Sequence, residues 1–208
     1  MALSGVLNSN ITVLAKGGRF NAFNGVGTYR AVAEGASVTS IIDGAVLTGS
    51  VNIGYCESKS ATNATPSYVK GAVNFIINTD TLTGKNITLT EAKNTGLDLS
   101  DGVFTLVFNN GITGYGISDA AKGVLDYIVY AGVGGEAYIH KNGTKTTAPT
   151  FLLVPDEGYT PIIGGAFVEE TSEGYLYTPE FTGALSTINI GWMSAEEMAP
   201  TVYDIDGE

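Results

Sequence analysis

The sequence predicts an all-β protein, an antiparallel β-sandwich or jelly roll with one or two short helices, and three observations carry that expectation. Turn dipeptides recur at short intervals: Asn24-Gly25, Asp43-Gly44, Asp101-Gly102, Asn110-Gly111 and Asn142-Gly143, with Thr-Gly pairs beginning at 48, 83, 95, 113 and 182. Such pairs supply the backbone freedom that closes one strand and starts the next. The apolar runs between them have strand rather than helix length. Composition agrees: 28 of 208 residues are Gly, and charged residues make up only 15% against about 25% in an ordinary globular chain.

Taken in order, the expected strands are Ile11 to Leu14, Ser37 to Ile42, Ala45 to Ile53, Val69 to Ile77, Asn86 to Thr90 and Val103 to Phe108. They continue with Ala137 to His140, Phe151 to Val154, Gly174 to Tyr177 and Ser186 to Trp192. Val103 to Phe108 is nearly all apolar, which predicts a central strand covered on both faces. A helix is expected to start at Ser118, an N-cap residue followed by Asp119, with Ala121, Leu125 and Ile128 on one face. Val124 to Tyr130 has equal claim to be a strand, because Val, Ile and Tyr dominate it. Ser194-Ala195-Glu196-Glu197 has capping-box spacing and predicts one helical turn after the last strand. No repeat of fixed period and no low-complexity linker divides the chain, so 1-208 reads as a single β-rich unit, with a possible split into a near-neutral lobe, 1-115, and an acidic jelly-roll-like lobe, 116-208.

Charge is distributed unevenly. Residues 1 to 145 carry ten acids and ten bases; residues 146 to 208 carry eleven carboxylates and no Lys or Arg, so the net charge of −11 belongs to the C-terminal part. That distribution disfavours direct nucleic-acid binding, which needs cations to neutralise phosphates. A low-charge surface rich in Gly, Thr and Asn suits burial between subunits, since hydroxyls and amides cost less to desolvate than charges. Met1-Ala2-Leu3-Ser4-Gly5 has no basic or long apolar character, and no stretch reaches the roughly 18 apolar residues of a membrane span. The expectation is synthesis in a cytoplasm, with no membrane partner. Cys56 is the sole cysteine, which excludes an intrachain disulfide, and the four glycosylation sequons, at Asn10, Asn63, Asn86 and Asn142, read as accidents of a Thr/Asn-rich chain.

Catalytic patterns fail residue by residue. Gly84-Lys85 lacks the Gly a phosphate-binding loop needs at position 79, which is Thr79, and Gly25-Val26-Gly27 is followed by Arg30 where a dinucleotide loop needs Gly. His140, the one histidine, sits at a strand end beside Lys141, a surface pattern. No enzyme activity, catalytic residue or cofactor is expected. Asp204, Asp206 and Glu208 begin like a calcium loop but stop before its twelfth-position Glu, so they read as a solvated acidic tail and only secondarily as a metal site. Glu169, Glu170 and Glu173 read as a solvated hairpin tip. Tyr175, Tyr177 and Trp192 are the aromatic residues most suited to a glycan platform or a subunit interface.

The run Val154-Pro155-Asp156-Glu157-Gly158-Tyr159-Thr160-Pro161, then Gly174-Tyr175-Leu176-Tyr177, then Ile188-Asn189-Ile190-Gly191-Trp192-Met193-Ser194, resembles the C-terminal jelly-roll domains of tailed-bacteriophage head fibres and tail fibres. The resemblance spans about 40 residues; the chain departs from it in lacking a basic residue after Gly-Tyr and an Asp-Gly turn before the last strand. It implies trimeric or larger self-association, contact with other virion proteins and a place in the virion, and it carries over no catalytic residue. The function expected is a virion structural protein, capsid-associated (auxiliary, decoration or head-fibre) or a capsid jelly roll. The alternatives are a phage tail-tube protein with an acidic lumen and a receptor-recognition fibre protein that binds a host glycan.

Overall fold

The computed structural model describes residues 6–21, 23–24, 31–55, 67–78, 86–90, 97–109, 116–134, 136–143, 145, 148–181 and 186–199. The first half is a stack of coils. The first coil runs through β1 (Val6–Leu7), β2 (Asn10–Lys16), β3 (Arg19–Phe20) and β4 (Phe23–Asn24), and the second through β5 (Ala31–Val32), β6 (Ser37–Asp43), β7 (Val46–Leu47) and β8 (Val51–Tyr55). The third holds β9 (Ser67–Val69), β10 (Ala72–Asn78) and β11 (Asn86–Thr90); the fourth holds β12 (Leu97–Asp98), β13 (Val103–Asn109) and β14 (Gly116–Ile117). Each strand pairs with its counterpart one coil away, in parallel, giving three walls: β1-β5-β9-β12, β2-β6-β10-β13 and β4-β8-β11-β14. This is a parallel β-solenoid.

The all-β class with two short helices stands, and its sheets are layered face to face as in a sandwich. Its pairing needs one correction. Antiparallel pairing, expected throughout, begins only where β15 (Tyr127–Ala131) meets β16 (Ala137–Lys141); every pairing before that is parallel. The turn signals locate strand ends but say nothing about partners, and the corresponding strands Asn10, Ser37, Ala72 and Val103 lie 27, 35 and 31 residues apart. Unequal corner loops hide the repeat from any search at fixed period.

Inward-facing side chains of the three walls, with Leu47 of β7, fill the first core, among them Val38, Ile42, Ile53, Val73, Phe75, Ile87, Phe104, Leu106 and Phe108. The pleat makes this legible: β6 and β10 alternate buried and half-buried positions without a break. In-register side chains also bond along the stack. Asn10 accepts from Ser37 Oγ at 3.0 Å, Asn74 Nδ2 donates to Thr39 Oγ1 at 3.2 Å, and Asn109 Nδ2 donates to Asn78 Oδ1 at 2.6 Å. Phe108 stacks on Tyr130 and Tyr130 meets Tyr138 at a 44° tilt, with centroids 5.0 Å apart at each step, extending the ladder into β15 and β16.

The coil wall containing β13 continues as one seven-stranded sheet, β2-β6-β10-β13-β15-β16-β22, where β22 is Thr187–Asn189. Its outer face carries a second core, in which Val107, Tyr127, Val129 and Ile139 meet Phe151, Leu153, Ile163, Val168 and Ile190. Those partners come from two small antiparallel sheets. One is β17 (Phe151–Leu153), β21 (Gly174–Tyr177) and β20 (Glu169–Thr171); the other is β19 (Ala166–Phe167), β18 (Tyr159–Ile163) and β23 (Gly191–Ser194). β13 thus lies between two cores, and six of its seven residues are buried, as its nearly continuous apolar run predicted.

The helix expected at Ser118 forms but lasts one turn, α1 (Asp119–Lys122), with Ser118 Oγ accepting from the Ala121 N–H. Leu125 follows it, and Ile128 belongs to β15, so the strand claim on this stretch was also right in part. The turn predicted at Ser194 is α2 (Ala195–Met198), with both halves of its capping box made.

Candidate functional site

Three places in the fold gather polar or exposed chemistry. The first is an open cleft of about 650 Å³ where β18 and β23 end against the β15–β16 turn, lined by Val133, Gly134, Tyr159, Trp192, Ser194, Glu196 and Glu197. Register explains the grouping: Tyr159 lies opposite Ser194 and Pro161 opposite Trp192. Glu197 is committed to the capping box, and the N–H and hydroxyl of Ser194 that bond it hold its carboxyl below the usual carboxylate range. Glu196 is exposed and uncommitted among the described residues. The Trp192 indole N–H is buried without a partner.

Of the three aromatic residues singled out from sequence, only Trp192 lines this cleft. Tyr175 and Tyr177 are half-buried against the second core, as is part of Trp192. Tyr175 Oη lies 3.3 Å from Thr160 Oγ1, and burial, aided by nearby Glu180, raises the Tyr177 hydroxyl pKa. The structure therefore does not bring the three rings into one platform. Tyr159, which the sequence offered only as part of a motif, is the second ring of the cleft.

The second place is a half-buried polar node around Asp126. Asp126 Oδ2 accepts from the Phe104 N–H and from Lys145 Nζ, each at 2.9 Å, and Lys145 Nζ also donates to the Gly102 carbonyl. Asn142 Nδ2 donates to the carbonyls of Lys122 and Leu125 close by. Every group named here is spent on tying Asn142 and Lys145 to the ends of β13 and α1, so the node braces the chain. His140, on β16, has Thr187 Oγ1 as its partner at 3.0 Å, a strand-to-strand bond with no acid beside it among the described residues.

The third place is the first coil. β2 is an edge of the seven-stranded sheet, and its exposed positions include Val13 at 42% and Leu14 at 56%. Val13 is in register with Ser40, which is fully covered, so it belongs to the inward file yet stands open. The core is simply not closed at this end among the described residues. Val6, Phe20 and Val46 are exposed around it. Val13, Leu14 and Val46 fall in strands expected from the sequence, whereas Val6 and Phe20 do not; only the coil order reveals that the first coil has no neighbour on its outer side among the described residues.

Among the described residues no three His, Cys, Asp or Glu side chains are grouped so as to hold a metal ion, and no helix is long and apolar enough to cross a membrane. Asp204, Asp206 and Glu208 lie outside the described residues, as does Cys56. Comparison of the chain with family models, with curated proteins and with solved structures finds no match.

Proposed function

We propose that this chain is a structural protein of a virus particle, of the capsid-associated kind (auxiliary, decoration or head-fibre), that works through contacts between subunits. One observation carries this: where a solenoid needs a cap, the first coil presents a strand edge that no described residue pairs, with Val13 and Leu14 exposed on it. Soluble monomers blunt such edges with charge, proline or a covering element, and an apolar edge left open is a surface for another chain. The low charge of the walls and the in-register Asn, Ser and Thr ladder support the same function, since both favour rigidity and close approach over chemistry. The test is incorporation. Particles purified by density gradient from producing cells should contain the chain at a fixed copy number, and its absence from them would end the proposal.

A receptor-binding role is a second possibility, favoured by the cleft of Tyr159, Trp192 and Glu196, because sugars are held by an aromatic face together with carboxylate acceptors. Loss of adsorption on Trp192→Ala with an unchanged melting temperature would support it. A drop in melting temperature would return Trp192 to the core.

A further inference from the structure

The large hydrophobic side chains that stand exposed among the described residues occupy two regions. Val6, Val13, Leu14, Phe20 and Val46 surround the first coil, while Phe167, Leu176 and Met198 lie in the C-terminal part. The charges near these regions have opposite sign. Residues 1 to 33 contain Lys16, Arg19 and Arg30 and no Asp or Glu, and residues 146 to 208 contain no Lys or Arg. Lys16 and Arg19 are exposed beside Leu14 and Phe20, and neither forms an ion pair among the described residues; the nearest acid in register is Asp43, opposite Lys16. In the C-terminal part, β20 is an edge strand that exposes Glu169 and Glu170. Glu169 lies opposite exposed Leu176, and exposed Phe167 is two residues away, with buried Val168 between them facing the second core. Each patch therefore pairs an open strand edge with exposed hydrophobics and one sign of charge.

We propose that these two patches bind each other between copies of the chain: the β2–β3 edge of one copy, with Val13, Leu14, Lys16, Arg19 and Phe20, docks on Phe167, Glu169, Glu170 and Leu176 of a second copy. The partner is a second copy because this chain itself carries the complementary surface, acidic and apolar, that the basic and apolar edge requires. The contact uses different patches on the two partners, so it propagates head to tail and yields a ring or a filament rather than a closed two-fold dimer. It rests on the structural function proposed above and says which surfaces serve it.

The test uses the full chain in sedimentation velocity at low salt. Wild type should grow past a dimer with concentration and should weaken about tenfold or more at about 1 M salt, where screening shortens to about 3 Å. Lys16→Glu with Arg19→Glu should abolish association, and so should Glu169→Lys with Glu170→Lys. Mixing the two variants should restore association, because the unaltered basic edge of one meets the unaltered acidic patch of the other, and the two reversed patches are again opposite in charge. Circular dichroism melting of each variant checks that the fold survives, and the mixture guards against a variant that is merely damaged. Wild type that stays monomeric, assembly indifferent to either pair of reversals, or a mixture that fails to associate would each overturn the proposal. A chain found in particles at fixed copy number yet monomeric in solution would sink this contact and leave the structural function standing; head-to-tail assembly without incorporation would do the opposite.

Discussion

Asp126 and Phe104 hold each other twice: the Asp126 N–H donates to the Phe104 carbonyl, and the Asp126 carboxylate accepts from the Phe104 N–H, each at 2.9 Å. The side chain thus continues the β13–β15 ladder one step beyond the first backbone pair, Thr105 with Tyr127, and Lys145 neutralises it from the far side. Asp126→Ala would leave the Phe104 N–H without its carboxylate partner and Lys145 without its counter-charge, with only the Gly102 carbonyl still accepting from the ammonium. We expect a loss of about 2–3 kcal/mol in urea unfolding, and an unchanged midpoint would show that the carboxylate does not brace the strand.

Gly71 sits where the coil turns into β10. A Cβ there would lie 2.1 Å from the Ala36 carbonyl oxygen and 2.6 Å from that of Ala33, both backbone atoms that cannot swing away. Gly71→Ala should cost about 3 kcal/mol or prevent folding, because the corner must move to admit it. Gly35→Ala is the control: it has open space but a φ of +76°, so only the left-handed backbone penalty of about 1–2 kcal/mol applies. Equal losses at the two sites in thermal unfolding would refute the steric account.

Thr105 is buried, 2% exposed, and its hydroxyl finds no partner. Thr105→Val keeps the shape and removes the orphaned group, so stability should hold or rise by up to about 1 kcal/mol. A clear fall in melting temperature would reveal a partner for that hydroxyl.

Tyr130 gives the fold an alkaline limit. Burial first, then neighbouring Tyr138 and Glu136, push its hydroxyl pKa from 10.0 up to about 12. The folded state keeps the proton that the unfolded chain has begun to lose, so this contribution to stability is intact below pH 10 and declines from about 10 to about 12. Tyr130→Phe should flatten that decline in unfolding curves followed across the same range; an unaltered slope would assign it to another tyrosine.

Expectation and structure agree where a local rule decides. Ser118 and Ser194 cap because a hydroxyl three residues before a free N–H satisfies it wherever the chain goes, and both were readable. Val103 to Phe108 is covered on both faces because, Thr105 apart, all its side chains are apolar. Pairing sense was not readable, since Asn10, Ser37, Ala72 and Val103 meet across loops of unequal length. The cleft was half legible: Trp192 stood out by type, whereas Tyr159 joins it through the β18–β23 register and Glu196 through the helical turn α2 that follows β23.

The sequence by itself determined that this protein is all-β, that its strands end at Gly-containing turns, that two single helical turns are capped by serine, and that its acid gathers in the C-terminal part. Each of these follows from residues within a few positions of one another. Only the tertiary structure decided that the strands stack in parallel coils, that β13 separates two cores, and that Val13 and Leu14 stand open at an edge. Whether a hydrophobic residue is buried depends on what lies one coil away, and in a solenoid the last coil has a neighbour on one side only.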